Sequence, residues 1–231
     1  NMKKITEEIK ALNEKESLFH VNDFAAKYFA ANLFENESGR AIGLSYFKER
    51  GFREDIIKKF QLGYAIDEWD NFTKHATGQG YKLEYLEKTG LTIVKEDKRY
   101  DRFRGRVIFP IHNLSGRVLG FGGRTLLKDK NIPKYVNSPE SDIYQKSKVL
   151  YGINHAKSSM IGEDNCYLVE GYTDVISLHQ AGIENVVASS GTSLTKDQIR
   201  LINRYTKNIT ILYDGDEAGV KASFRGIDMI L

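Results

Sequence analysis

The sequence predicts a mixed α/β protein, an α+β segment followed by a parallel sheet wound β-α-β-α-β. Three observations predict it. Charged segments with apolar residues at helical spacing run to about Gly90. Two strand-like runs flank a glycine turn at Asn113-Leu-Ser-Gly116. Between Cys166 and Gly219, three short apolar runs end in polar or acidic residues and alternate with helix-period segments.

Taken in order, Met2 to Phe19 reads as a charged helix with Ile5, Ile9 and Leu12 on one face, giving a linker helix over residues 1–20. Asn22 reads as the N-cap of a helix through Phe34, with Phe24, Tyr28 and Phe29 supplying apolar contacts. A further helix starts after Ser38 and stops at Gly51, a suitable C′ residue, and a short one spans Arg53 to Phe60. Leu62 to Ala65 reads as a strand, and Trp69 begins a loop-helix segment to about Gly90. Aromatic side chains at these spacings read as core. Nothing in residues 1–95 suggests chemistry.

From Arg102 the pattern is β. Arg106 to Ile111 and Arg117 to Phe121 form a hairpin, followed by Gly122-Gly123-Arg124 and a polar loop over residues 128–131. Pro133-Lys-Tyr-Val-Asn-Ser-Pro139 reads as extended, and its Lys134, Tyr135, Asn137 and Ser138 can donate to phosphate or ribose. A linker near Ser147–Gly152 then separates a basic subdomain, residues 21–147, from the parallel-sheet domain, residues 148–231.

In that second domain, Cys166 to Glu170 leads into Gly171-Tyr-Thr-Asp174. Ile183 to Ser189 leads into Ser190-Gly191-Thr192, and Ile209 to Tyr213 ends in Asp214-Gly215-Asp216. Right-handed crossovers bring the C-terminal ends of parallel strands to one edge, so Glu170, Asp214 and Asp216 are expected to meet there. Gly215 lets the backbone turn between the two aspartates. Magnesium takes oxygen ligands and keeps water and substrate phosphates, so two or three carboxylates suffice. Glu170 reads as a ligand of a second metal or a general base. Asp174 reads either as a further ligand or as a favourable charge on a helix N-terminus.

Composition narrows the class. At 231 residues, with 41% hydrophobic and 28% charged side chains, the chain is an ordinary globular sequence. No apolar run approaches 18 residues, so no membrane span is expected, and the charged N-terminus does not read as a signal peptide. One cysteine and no C-x-x-C exclude intrachain disulfides and argue against a zinc site, which fits a cytoplasmic protein. Between Lys95 and Lys148 stand 13 Lys/Arg against 6 Asp/Glu, a surplus of seven; with a net charge of +3, the remainder carries −4. Basic surface preceding an acidic edge suits phosphate-bearing substrates and a metal.

Competing edge chemistries fit less well. A dehalogenase-type phosphatase follows Asp-x-Asp with Gly/Thr or Val/Thr, where this chain has Glu217-Ala218. A receiver domain lacks the basic module. The Glu170-Gly-Tyr-Thr-Asp174 turn is not a G-x-G-x-x-G dinucleotide loop.

The residues carry a resemblance. Glu170-Gly-Tyr-Thr-Asp174 with Tyr213-Asp-Gly-Asp-Glu-Ala-Gly219 resembles the metal-binding motifs of the Toprim fold. Asp101-Arg-Phe-Arg-Gly-Arg-Val-Ile-Phe-Pro-Ile111 is similar to the arginine-rich motif of bacterial DnaG-type primases. So are Gly116 to Arg124, Pro133 to Glu140 and Tyr144 to Gly152, in the family's order and over nearly the whole chain.

The resemblance implies synthesis of short RNA primers on single-stranded DNA, from ribonucleoside triphosphates, by two-metal nucleotidyl transfer. It implies magnesium, with manganese as a substitute, held by Glu170, Asp214 and Asp216 with Asp174 in support. It implies nucleic-acid binding by Arg102, Arg104 and Arg106, and a nucleotide pocket of Arg124, Lys134, Tyr135, Asn137, Ser138 and Lys146. A zinc-binding domain, a later acidic pair and a helicase-binding region belong to complete family members and have no counterpart here. A truncated core with weak synthesis is therefore expected, its replicative helicase partner binding elsewhere in the whole protein. A phage or plasmid primase-helicase, a Toprim nuclease and a non-catalytic nucleic-acid-binding module are the alternatives.

Overall fold

The structure, a computed structural model, describes the chain except for Asn1, Lys130, Ser190, Thr192 and Leu231 and the side chains of Met2, Lys3, Lys4 and Ala218. Part of the polar loop at 128–131, and the Ser190 and Thr192 that close the second run, therefore lie outside the described residues. The chain folds as two compact units. One comprises the chain up to Ile111 together with Arg117–Tyr144; the other comprises His112–Gly116 and the chain from Gln145 onward.

The first unit opens with one helix, α1 (Met2–Glu35), not two. Asn22 is no N-cap: it sits mid-helix, buried, and its Nδ2 donates to the Leu119 carbonyl at 2.8 Å. Its amide serves tertiary docking, so the local capping signal never acts. A π-helical turn (Gly39–Leu44) runs into α2 (Ser45–Glu49), and the helix ends at Gly51 with φ +79° as its sequence requires. Then come α3 (Glu54–Lys59), β1 (Gly63–Ala65), α4 (Asn71–Gly78) and α5 (Leu83–Lys88).

The hairpin β2 (Thr92–Lys95) and β3 (Lys98–Asp101) follows where no element was expected. Its turn places the non-glycine Glu96 at φ +54°, which conceals the hairpin from turn-residue reasoning. The expected hairpin is β4 (Arg106–His112) and β5 (Val118–Thr125), extended by β6 (Tyr135–Asn137) into a sheet of order β1-β4-β5-β6. Phe29, Phe72, Phe103, Phe121 and Ile108 join α1, α4 and the sheet in one buried cluster.

The second unit is wound as predicted. It contains α6 (Ile153–Gly162), β7 (Cys166–Val169), α7 (Tyr172–Gln180), β8 (Val186–Ala188), α8 (Lys196–Ile202), β9 (Ile209–Ile211) and α9 (Glu217–Ile230). The sheet is parallel with order β8-β7-β9, in a register that sets Leu168 between Val187 and Ile211. The segment expected as a linker is pinned at its end, where Tyr151 exchanges backbone hydrogen bonds of 2.8 and 3.1 Å with Ala188. Thr195 caps α8, accepting from Gln198 N at 3.2 Å while the Gln198 side chain returns to Thr195 N at 3.1 Å.

Cys166 starts the central strand, fully buried, and burial pushes its thiol up to about 12. From the ordinary value of 9.0 up to about 12, the folded chain keeps a proton that the unfolded chain loses. Its contribution to stability is whole below 9.0 and is lost as pH rises through that window. Native protein at pH 8 is therefore expected to resist iodoacetamide and to label fully in urea. Rapid labelling of the native protein would contradict this burial.

Candidate active site

The first-strand carboxylate is carried by the residue directly after β7, the central strand, and the two aspartates follow β9 beside it. Glu170 Oε1 accepts from the Asp214 backbone N–H at 3.1 Å, tying the two edge loops together. Asp216 is the local cap of α9, its Oδ1 accepting from Gly219 N at 2.7 Å. Asp174 likewise closes the start of α7, its Oδ2 accepting from Gly171 N at 3.0 Å. Among the described residues, the Asp214 carboxylate makes no hydrogen bond or ion pair.

Gly219 is required here. A Cβ at that position would lie 2.1 Å from the Asp214 carbonyl oxygen and 3.1 Å from Glu170 Oε1. The backbone of α9 thus reaches the acidic edge only because residue 219 has no side chain.

A cavity of about 200 Å³ opens beside Glu170, with Ser189, Tyr213 and Arg225 on its walls. Burial, and secondarily the Glu170 charge, push the Tyr213 phenol above its ordinary range. Arg225 escaped sequence reasoning because an arginine on an amphipathic helix reads as solvated surface. Among the described residues, no three of His, Cys, Asp and Glu converge closely enough to hold an ion by themselves. The donors at the edge are all carboxylate oxygens in exposed positions, a set that suits magnesium or manganese completed by water and phosphate. The residues fit such an ion.

In the first unit, Arg124 and Tyr135 face each other across the β5–β6 pair, the guanidinium carbon 5.9 Å from the ring centroid. Lys134 shares the wall of a cavity of about 600 Å³ with Arg124. Asn137 pairs with Gly122 at the other end of β6. Ser138 is buried, with its hydroxyl accepting from Phe121 N at 2.9 Å, so its side chain belongs to the sheet and not to the pocket. Lys146 is in the second unit, on a 3-10 turn whose carbonyl accepts from Gln198 Nε2 at 3.2 Å.

The three arginines part company. Arg106 is buried, and its Nη1 donates to the carbonyls of Gly123, Pro133 and Lys134 at 3.4, 3.0 and 3.3 Å. It holds the β5 end and the start of the Lys134 segment, a scaffold position unlike the surface one expected. Arg102 is half-buried, with Nε donating to the Gly90 carbonyl at 2.5 Å, and burial lowers its pKa. Arg104 is exposed and lies over the Trp69 ring at 4.5 Å, while Trp69 packs on Tyr100 at 5.0 Å. Trp69 is 49% exposed, a large aromatic surface that spacing alone could not distinguish from core.

A mixed α/β unit followed by a parallel sheet with acidic residues at its C-terminal edge defines a Toprim-containing catalytic core. Residues 167–231 match the Toprim-like family, and residues 28–157 match the family of the DNA primase catalytic core, N-terminal domain. The chain belongs to the DNA primase catalytic-core family. It is 44% identical to the DNA primase of Halalkalibacterium halodurans, over 98% of this chain and 38% of that protein. It is 46% identical to that of Clostridium acetobutylicum, over 93% of this chain and 35% of the relative, so it spans little more than a third of either. Among solved structures, it is similar to a DnaG primase catalytic domain bound to ssDNA, with TM-score 0.87, 38% identity and coverage of 95% and 68%. It is also similar to the Aquifex aeolicus primase (zinc binding and RNA polymerase domains), with TM-score 0.86, 36% identity and coverage of 94% and 53%.

Proposed function

We propose that the protein containing this chain synthesises short RNA primers on single-stranded DNA during replication, with this chain supplying the catalytic core. The observation that carries the reading is the acidic edge, Glu170 tied to Asp214 after adjacent parallel strands, in a chain of the primase family. The bond that forms joins a ribonucleotide 3′-oxygen to the α-phosphorus of the next triphosphate. The bond that breaks releases pyrophosphate, and the hydroxyl proton leaves to solvent or a nearby carboxylate. Glu170, Asp214 and Asp216 would hold magnesium, which when bound would supply positive charge to offset the negative charge that develops in the transfer. Asp174 supports them by fixing the turn after β7. Arg124, Lys134 and Lys146 neutralise triphosphate, with Tyr135 and Asn137 on the same β6 segment as further contacts.

The test is ribonucleotide incorporation on single-stranded DNA by the natural full-length protein, with magnesium or manganese. Template-dependent short RNA supports the reading. DNA binding that survives chelation, without synthesis, would replace it by a binding module; degradation of labelled DNA would replace it by a nuclease.

Trp69 and Arg104 form the template contact in this reading, an aromatic platform with a cation on one face. Trp69→Ala is expected to weaken single-stranded DNA binding about tenfold with an unchanged salt slope, since base stacking carries no counterion term. Arg104→Ala is expected to reduce the magnitude of the log–log salt slope by about 0.7, the increment for one phosphate contact on a single strand. Fluorescence anisotropy across a salt series separates the two. Wild-type affinity in both variants would remove this surface from the template path.

A further inference from the structure

The cavity that holds Arg124 and Lys134 has a second wall, made by the π-helical turn and α2. Ile42, Ser45 and Tyr46 line it opposite Arg124 and Thr125. Two guanidinium groups lie over the Tyr46 ring, that of Arg50, the C-cap of α2, at 5.1 Å and that of Arg124 at 4.8 Å. Among the described residues, Arg124 Nε and Nη1 are buried atoms with no hydrogen-bond partner, and so is the Tyr46 hydroxyl. Glu49 and Asp129 also line the cavity, and neither forms an ion pair with Arg124 among the described residues. Buried guanidinium N–H groups left unsatisfied are costly, and an anionic ligand with oxygen acceptors at this half-buried arginine removes that cost.

This wall is packed into the core independently of any ligand. Phe47, next to Tyr46, is fully buried and packs edge-on against Phe109 at 5.8 Å. A Cβ at Gly39 would lie 1.8 Å from the Asn32 carbonyl oxygen, so the π-helical turn is pressed directly onto α1. α2 is thereby anchored on both sides, and the Tyr46 ring has a defined position to impose on the Arg124 side chain. A long flexible arginine otherwise loses rotamer freedom on engaging a ligand.

We propose that Tyr46 is a positioning residue for nucleotide binding: its ring holds the Arg124 guanidinium at the cavity wall, from which the guanidinium meets the nucleotide phosphates. This rests on the reading that Arg124 and Lys134 bind the incoming triphosphate. The role is distinct from catalysis, because Tyr46 acts through Arg124 and stands outside the reacting atoms.

The experiment compares Tyr46→Leu, Tyr46→Met, Tyr46→Phe and Arg124→Lys in the natural full-length protein. Each is measured for ATP affinity by calorimetry, for KM and kcat in primer synthesis, and for single-stranded DNA affinity. Tyr46→Leu is expected to raise the nucleotide Kd and KM about tenfold, from loss of the cation–π contact that holds Arg124. kcat and DNA affinity are expected to stay within about twofold, a split that general misfolding does not produce. Tyr46→Phe keeps the ring and is expected to recover most of the loss, to about threefold. Tyr46→Met fills the same space without a ring and is expected to show the same tenfold loss, so the test stands even where Tyr46→Leu folds poorly. Unchanged nucleotide affinity in both Tyr46→Leu and Tyr46→Met, with Arg124→Lys impaired, overturns the role of Tyr46 and leaves the nucleotide reading standing. Unchanged affinity in all four variants overturns both.

Discussion

Asp214→Asn is expected to lower ribonucleotide incorporation by the natural full-length protein on the order of a hundredfold or more, corresponding to loss of about 2.7 kcal/mol of transition-state stabilisation. The carboxylate is exposed, and among the described residues the Asp214 backbone N–H, not the carboxylate, is what Glu170 engages. The substitution therefore leaves the fold alone and removes one negative charge from the acidic edge. Glu170→Gln should have a similar effect, because the amide keeps an acceptor for the Asp214 N–H while losing the charge. Asp216→Asn should behave likewise, since asparagine still caps α9 through Gly219 N. Asp174→Asn should cost less, its carboxylate already serving the turn at Gly171. Melting temperatures within a few degrees of wild type, together with lost incorporation, confirm a chemical role. Wild-type incorporation in Asp214→Asn would remove the edge carboxylates from catalysis.

The second large effect concerns stability. Asp101 closes β3, and its buried carboxylate accepts from Phe72 N at 2.7 Å, Thr73 N at 3.0 Å and the Thr73 hydroxyl at 2.6 Å. It is in effect the cap of α4 supplied from another strand. Burial raises its pKa, outweighing the hydrogen bonds that lower it. Ionising Asp101 is thus less favourable in the folded protein than in the unfolded chain. The Asp101 contribution is complete below the ordinary value of 3.8 and declines as pH rises through the higher folded value. Asp101→Ala removes the acceptor from two buried N–H groups and a hydroxyl at once, an expected loss of about 3–5 kcal/mol. The Asp101 N–H also donates to the Trp69 carbonyl at 2.9 Å, so slackening this strand should weaken single-stranded DNA binding too. Urea denaturation measures the first effect. A loss below 1 kcal/mol would mean that water readily replaces the carboxylate.

The second unit was largely legible in the order of residues. Short apolar runs separated by helical periods allow one economical packing, a right-handed parallel sheet, and that topology brings Glu170 and Asp214 to the same edge. The glycine after the acidic residues was legible as a motif. Its reason, the close approach of α9 to the Asp214 carbonyl, became visible only in three dimensions.

Local pattern misled where a distant element claimed the side chain. Asn22 has a capping residue's chemistry, yet its amide is used by the Leu119 carbonyl, and α1 runs through it unbroken. Arg106 and Ser138 lie in motifs rich in phosphate-binding residue types, yet both are buried and satisfied by backbone. Trp69, conversely, has the composition of a core residue and stands half in solvent beneath Arg104.

By itself, then, the sequence determined the alternation of strands and helices, the acidic edge and the family, because periodicity and motif spacing are properties of neighbours along the chain. Only the tertiary structure decided which arginines face outward and that Tyr46 stacks on Arg124, 78 positions away. Burial and hydrogen-bond satisfaction depend on what packs from elsewhere, and no local window contains that partner.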